Sequence, residues 1–215
     1  MNAAGALFAE RGYAAATLEA IADAADVAVE TIYKRFGNKR NLLSAYIDVS
    51  VVGDHQQVPL LERDEVRGIA AETDQRRQVR RLAKLARALL ERAMPSQQVL
   101  WAAAVVDRSL EDLIAIDDQR RRMTHRALIQ MLLKNGPLQP GLSLDDATDT
   151  YSALSNPWTY SFLTQRRGWS PKHFERWIAN CFEQLLLPQS LPSAPTGGAR
   201  QQATRRSHKR PRAQQ

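Results

Sequence analysis

Cysteine is almost missing from this chain of 215 residues: Cys181 is the single one. An intrachain disulfide is therefore excluded, and a reducing cytoplasm is the expected compartment. Cys181 stands beside Phe182 and at helical spacing from Phe174, Trp177, Ile178 and Leu185, so it reads as a packed thiol rather than a sensor. Long apolar runs are also lacking. The longest, Val99 to Val106, covers eight residues, far short of the ~20 that a helix needs to cross a bilayer, and no membrane partner is expected. The start, MNAAGALFAER, reaches Glu10 and Arg11 before any apolar region forms, which is not the pattern of a secretory signal. No segment alternates apolar and polar residues between turn residues as a sheet requires.

The marks of catalysis are equally scarce. The four histidines, His55, His125, His173 and His208, lie on separate segments without the paired spacing of a metal site. There is no P-loop, no G-x-G-x-x-G and no G-x-S-x-G. The pairs Asp117-Asp118 and Asp145-Asp146 are adjacent, so on a helix they point in different directions and serve as caps or solvated faces. His125, between Arg122 and Arg126 in its neighbourhood, reads as an exposed or ligand-lining side chain rather than a general base. No enzyme activity, metal or cofactor is expected.

What is present is positive charge, unevenly spread. The net charge is +7. Residues 1–54 carry five basic and seven acidic groups, residues 55–187 nineteen and sixteen, and residues 188–215 six and none. The high isoelectric point thus comes mainly from the tail and is no signature of a basic binding face. Within the first segment, however, Lys34, Arg35, Lys39 and Arg40 form a local cluster, and local placement is what matters for contact with phosphate.

That cluster lies in TLEAIADAADVAVETIYKRFGNKRNLL, residues 17–43. Thr17 is suited to cap a helix on which Leu18, Ile21 and Ala22 share one face. Val27 closes a corner, and a second helix from about Val29 to Arg35 turns Ile32 and Phe36 inward, leaving Val29, Glu30, Thr31, Tyr33 and Lys34 mostly outward. Gly37 stops it and Asn38 caps the next helix, which places Lys39 and Arg40 in a first turn where cations gain nothing from the helix dipole. Cations so placed suggest an external anion. A short helix, a tight turn and a second short helix form the helix-turn-helix layout, and such a helix fits a major groove of double-stranded DNA. Lys34 is suited to donate to guanine, Glu30 to accept from cytosine N4 and Val29 to touch a thymine methyl, with Thr31 able to serve bases or phosphate.

The run LFAERGYAAATLEAIADAADVAVETIYKRFGNKRNLLSAY, Leu7 to Tyr46, resembles the DNA-binding domain of the TetR (tetracycline-repressor-like) family of bacterial regulators. LFAERGY, the Thr17/Ile21/Ala22 helix, V-x-x-x-T-I-Y-x-x-F from Val27 to Phe36 and G-N-K-x-x-L-L from Gly37 to Leu43 carry the resemblance together. It implies a homodimeric transcription regulator, usually a repressor, with a palindromic operator and a C-terminal domain that binds a small-molecule effector. It agrees with the local reading that Tyr33 and Lys39, with Thr17 behind them, bind phosphate and set register. The chain departs from the family's pattern at Asp26, where a corner glycine is usual, at Ala28, where serine or threonine often caps the recognition helix, and in a first helix starting only near Ala3, without a basic arm.

The whole chain is expected to be all-α, with a three-helix helix-turn-helix head over 1–47, about six helices in an effector-binding and dimerisation domain over 48–187, and a disordered basic tail over 188–215. Helix 4 should run from Asn38 to near Gly53, and a less regular stretch with Pro59 should follow it. Val79, Leu82, Ala83, Ala86, Leu89, Leu90 and Ala93 trace a helical stripe, and Pro95-Ser96 is expected to open a separate helix to about Val106. A long helix follows from near Leu110 to Lys134, ended by Asn135-Gly136-Pro137. Ser143, Asn156-Pro157 and Ser170-Pro171 mark further starts. Residues 140–187 resemble C-terminal domains of one branch of the same family, which implies that helices near Leu144–Leu154 and Pro171–Leu187 build a four-helix dimer interface. Trp101, Met123, Tyr151, Trp158 and Tyr160 are expected around a pocket for an apolar or aromatic effector. The rival reading is a helical ligand-binding or scaffolding protein of the same fold that no longer reads DNA.

Overall fold

The computed structural model describes residues 1–53 and 58–189. The tail expectation from residue 190 onward, with its arginines and His208, lies outside the described residues, as does His55. Among the described residues there are helices and turns and no strand. Ten α-helices follow in order: α1 Asn2–Ala15, α2 Leu18–Ala24, α3 Val29–Phe36, α4 Lys39–Val52, α5 Asp64–Ala70, α6 Gln75–Val106, α7 Glu111–Leu133, α8 Leu144–Leu154, α9 Pro157–Ser161 and α10 Pro171–Leu186. Short 3-10 turns at Leu60–Glu62 and Arg108–Leu110 and a π-type turn at Phe162–Arg166 complete the path.

Side-chain oxygens open most of these helices. Thr17 accepts from the Ala20 N–H at 3.1 Å, Asn38 from Asn41 at 2.9 Å, Asp74 from Arg77 at 2.8 Å, Ser143 from Asp146 at 3.1 Å, Asn156 from Thr159 at 2.9 Å and Ser170 from His173 at 3.1 Å. Each such bond satisfies a donor that the helix itself leaves orphaned. Gly37 ends α3 at φ 76°, a conformation that a Cβ disfavours. Gly5 is needed for another reason: a Cβ there would stand 2.6 Å from the Tyr46 ring, so glycine lets α1 lie flat against α4.

Two expectations about the elements are corrected. Pro95 does not begin a helix; it sits inside α6, which runs unbroken for 32 residues, about 48 Å at 1.5 Å per residue. Proline removes one intrahelical hydrogen bond and crowds the preceding turn. Here the helix is held on both sides of it, by Leu82, Leu85, Leu90 and Met94 in one core and by Val99, Leu100 and Ala103 in another. Pro95 itself faces solvent. The irregular stretch expected after Pro59 contains α5, whose Val66 and Ile69, 0% and 2% exposed, are buried against α6.

Packing does not divide at residue 47. Ala4, Leu7, Phe8, Leu18, Ile21, Ile32, Leu42, Leu43 and Ile47 of the head share one buried cluster with Val99, Leu100, Ala103, Leu110 and Leu113. The second core joins α5, the first part of α6, α7, α8 and α10. There Tyr151 stacks on Phe182 with ring centroids 4.5 Å apart, and Tyr160 meets Phe174 edge-on at 4.9 Å. The helix α6 is the beam common to both cores, and α4 leads from the head along its side.

Candidate nucleic-acid interface and ligand cavity

Helix α3 is anchored by one side chain. Ile32 is 6% exposed, with Val29 and Phe36 half-buried beside it, while Glu30, Thr31, Tyr33, Lys34 and Arg35 are exposed. The corner before it is made by Asp26, the one non-glycine residue with positive φ among the described residues, at φ 53°. Asp tolerates this left-handed region better than most residues, so the corner has the backbone that glycine supplies elsewhere. Ala28 occupies the cap position in extended conformation and gives α3 no side-chain hydrogen bond.

The outward face of α3 carries free cations. Neither Lys34 nor Arg35 makes an ion pair among the described residues, although the Arg35 guanidinium lies 5.5 Å from the Phe36 ring centre. Tyr33 is 47% exposed and donates to Glu19 Oε1 at 3.4 Å. The Glu19 carboxyl is held below its usual range, first by its own backbone N–H and then by the Thr17 hydroxyl, with Tyr33 adding to the effect. Thr17, Glu19 and Tyr33 thus form a small polar group behind the exposed face.

Lys39 and Arg40 are placed differently from the expectation that their position calls for an external anion. Lys39 Nζ donates to the Tyr13 carbonyl at 2.8 Å and the Ala14 carbonyl at 3.2 Å, and lies 4.5 Å from the Tyr13 ring centre. It answers the unpaired carbonyls at the end of α1 rather than leaving its charge unmatched. Arg40 Nη2 meets Asp112 Oδ2 at 2.6 Å and ties α4 to α7. Sequence spacing could not reveal either partner, because both come from other helices.

A cavity of about 250 Å³ lies between α4, α6, α7 and α8. Val51, Val52, Leu60, Ala86, Leu89, Leu90, Ala93 and Leu128 are its aliphatic lining, and Tyr151, Ser155 and Pro157 line it as well. Asp48, Asp117, Arg120, Arg121, Thr124 and His125 are its other polar lining residues. His125 is 7% exposed, and burial, with Arg121 nearby, pushes its imidazole down to about 3. It is neutral at ordinary pH.

Of the five residues expected around the effector, only Tyr151 lines this cavity. Trp101 and Trp158 stack on one another at 3.7 Å and line a separate groove with Glu111 and Asp118. Met123 is 67% exposed, and Tyr160 is buried in the second core. Sequence reasoning chose aromatic and soft residues; the cavity is walled mainly by aliphatic ones, whose stripes look the same whether they face a core or a void. Among the described residues no group of histidine, cysteine and carboxylates is arranged to hold a metal ion, and no helix is long and apolar enough to cross a membrane.

Residues 1–46 match the family model of the bacterial regulatory proteins of the tetR family. No curated protein matches the chain in sequence. Solved structures resemble it over most of its length. A protein of a Rhodococcus species assigned to the TetR family of transcriptional regulators has 16% identity over 86% of this chain and 95% of its own, with a TM-score of 0.65. A protein of Saccharomonospora viridis assigned as a transcriptional regulator and solved in complex with choline has 20% identity over 87% and 95%, with a TM-score of 0.61. NalD of Pseudomonas aeruginosa, the secondary repressor of the MexAB-OprM multidrug efflux pump, has 20% identity over 86% and 93%, with a TM-score of 0.60.

Proposed function

We propose that this chain, whose first 46 residues are a tetR-family DNA-binding head, is a ligand-responsive transcription regulator that represses by occupying a palindromic operator as a dimer. One observation carries the DNA reading: the exposed face of α3, set on the Ile32 anchor, presents Lys34 and Arg35 without ion pairs. In this reading Val29, Glu30 and Lys34 read base edges, and Thr31 serves bases or phosphate. Tyr33, with Thr17 behind it, and Lys39 fix the register on phosphate. Lys39 does so while capping α1, so the same ammonium would hold the head together and face the backbone of the DNA.

The dimer would form on α8 and α10. Phe174, Ile178, Phe182 and Leu186 bury one face of α10 in its own subunit, while Trp177, Cys181 and Leu185 follow at four-residue spacing on another face. Leu185 is 48% exposed, as suits a helix that serves an interface as well as a core. The cavity beside α4 is the effector site in this reading. One solved structure of like fold holds choline, which supports a small-molecule response; another is the secondary repressor of a multidrug efflux pump, which supports repression. Effector binding would shift the population toward a head spacing that no longer matches successive major grooves.

Footprinting on the DNA flanking its own gene tests the reading. A protected palindrome is the expected result. Protection that is sequence-blind and vanishes with moderate salt would instead support a helical ligand-binding or scaffolding role for the fold.

A further inference from the structure

The cavity beside α4 offers one open polar group, His125, within a lining that is otherwise aliphatic or already paired. Its volume is about 250 Å³; a cavity of about 150 Å³ accepts benzene, so by proportion this one takes a body of roughly ten non-hydrogen atoms. Its charged lining residues are two carboxylates, Asp48 and Asp117, and two guanidinium groups, Arg120 and Arg121. Arg121 Nη2 meets Asp117 Oδ2 at 2.6 Å, and Arg120 Nη1 meets Asp48 Oδ1 at 3.3 Å. The hydroxyls are engaged as well. Thr124 donates to the Arg120 carbonyl at 3.2 Å and Ser155 to the Tyr151 carbonyl at 2.5 Å, and Ser155 also answers the Tyr151 hydroxyl.

His125 Nδ1 lies 2.8 Å from Ser152 Oγ. The Ser152 hydrogen is already given to the Thr148 carbonyl at 2.8 Å. Nδ1 therefore carries the imidazole proton and donates, and Nε2 is left with a bare lone pair. Nε2 has no hydrogen-bond partner among the described residues. Among those residues the one sealed side-chain polar atom without a partner is Arg121 Nε, so Nε2, unpartnered too, keeps accessible surface. Ser152 lines two neighbouring grooves and not the cavity, whereas His125 lines the cavity. The ring thus turns its Nδ1 edge to Ser152 and the opposite edge, which holds Nε2, to the cavity. Tyr151, edge-on with ring centres 4.8 Å apart, holds that orientation. Burial pushes the imidazole far down, which keeps Nε2 unprotonated at ordinary pH.

A lone pair among aliphatic side chains calls for a donor, and a lining whose charges balance calls for one without charge. We propose that the cavity takes a compact uncharged alcohol or phenol, its hydroxyl donating to His125 Nε2 and its apolar body lying against Val51, Leu89, Leu90 and Leu128. An ammonium would also donate, but it brings an unbalanced charge beside Arg120 and Arg121. A carboxylate has no hydrogen to give and would set its own lone pairs against that of Nε2. A hydroxyl is the neutral donor that carries the least other polarity into the aliphatic lining. The assignment names the ligand class of the cavity taken above as the effector site, and it rests on that reading only for an effect on DNA binding.

Calorimetric titration of the full chain with para-ethylphenol beside para-ethyltoluene, and with octanol beside its methyl ether, tests the assignment; para-toluate and para-methylbenzylamine are the charged counterparts. At least one hydroxyl compound is expected to bind about five-fold or more tightly than its partner, with no binding of either ion. His125→Gln, whose amide reaches the Nε2 position, should keep most of that preference. His125→Asn, whose amide reaches only the Nδ1 position and can still serve Ser152, should abolish it. Imidazole nitrogen NMR of the unsubstituted chain needs no variant: the His125 Nε2 resonance should move with the bound hydroxyl compound and not with its partner. Equal binding within both pairs, an ion binding as tightly as the hydroxyl compounds, no binding at all, or an Nε2 resonance unmoved by a bound hydroxyl compound would overturn the assignment. If a hydroxyl compound binds as expected and leaves a protected palindrome unchanged, the ligand class stands and the effector reading of the cavity falls; if no palindrome is protected, the regulator reading falls.

Discussion

At the scale of single residues, the head separates exposed side chains, which the proposed function assigns to reading DNA, from side chains that hold the fold. Lys34 is exposed with no internal partner, so its removal should change what is recognised without disturbing the fold. Lys34→Ala is expected to alter which operator variants are preferred, with a discrimination change of about 1–3 kcal/mol at one base position. Tyr33→Ala should weaken binding to all variants alike. Competitive binding to a library of operator variants separates the two, and equal loss on every sequence for Lys34→Ala would remove Lys34 from base reading. His125 is the other residue whose state the fold dictates. Its folded value of about 3 lies below the ordinary value of 6.5, so the unfolded chain binds more protons in that interval. Its contribution to stability is therefore complete above pH ~6.5 and is lost as pH falls through the interval toward 3, at up to about 1.4 kcal/mol per pH unit. Urea unfolding between pH 7 and 5 should show this slope, and His125→Phe should flatten it.

At the scale of elements, the caps account for much of what could be read ahead of the structure. Thr17, Asn38, Ser143, Asn156 and Ser170 each accept the hydrogen bond that their place before a helix suggests. These starts are legible because a cap and its helix are neighbours in sequence. Helix α3 lacks such a bond at Ala28, whose φ of −64° and ψ of 140° already have the cap conformation. Ala28→Ser should therefore stabilise the chain by about 1 kcal/mol, seen as a higher midpoint in chemical denaturation; an unchanged midpoint would mean that the α3 N-terminus is satisfied in another way. Pro95 shows the opposite limit. Local rules put a boundary there, and two cores on either side of it kept the helix whole. Helix α5 escaped notice because seven residues with two buried positions, Val66 and Ile69, give too short a period to recognise.

At the scale of the whole molecule, α6 joins head and body into one packed unit, with Arg40–Asp112 and Asp48–Arg120 adding polar ties from α4 to α7. A change around the cavity thus has a continuous packed route to the head. The proposed assembly puts α10 at the centre of the molecule's function. Leu185 is 48% exposed, so a charge there is tolerated by the subunit and not by a tight interface. Leu185→Glu is expected to give a folded monomer with operator affinity reduced by a hundred-fold or more, since one head then lacks its partner half-site. Sedimentation analysis and operator titration check both parts, and a Leu185→Glu protein that remains dimeric would move the interface elsewhere.

The amino-acid sequence by itself determined the all-helical architecture, the order of the head helices and the outward face of α3, because caps, turn residues and helical stripes act over a few residues. Only the tertiary structure decided that Lys39 caps α1, that α6 passes through Pro95, and that a cavity opens beside His125 and Arg121 while Trp101 and Trp158 stack elsewhere. Those outcomes depend on which helices meet. Aliphatic stripes specify that a face is buried but not whether its neighbour is another side chain or a space, and a cation's partner on a distant helix leaves no trace in local spacing.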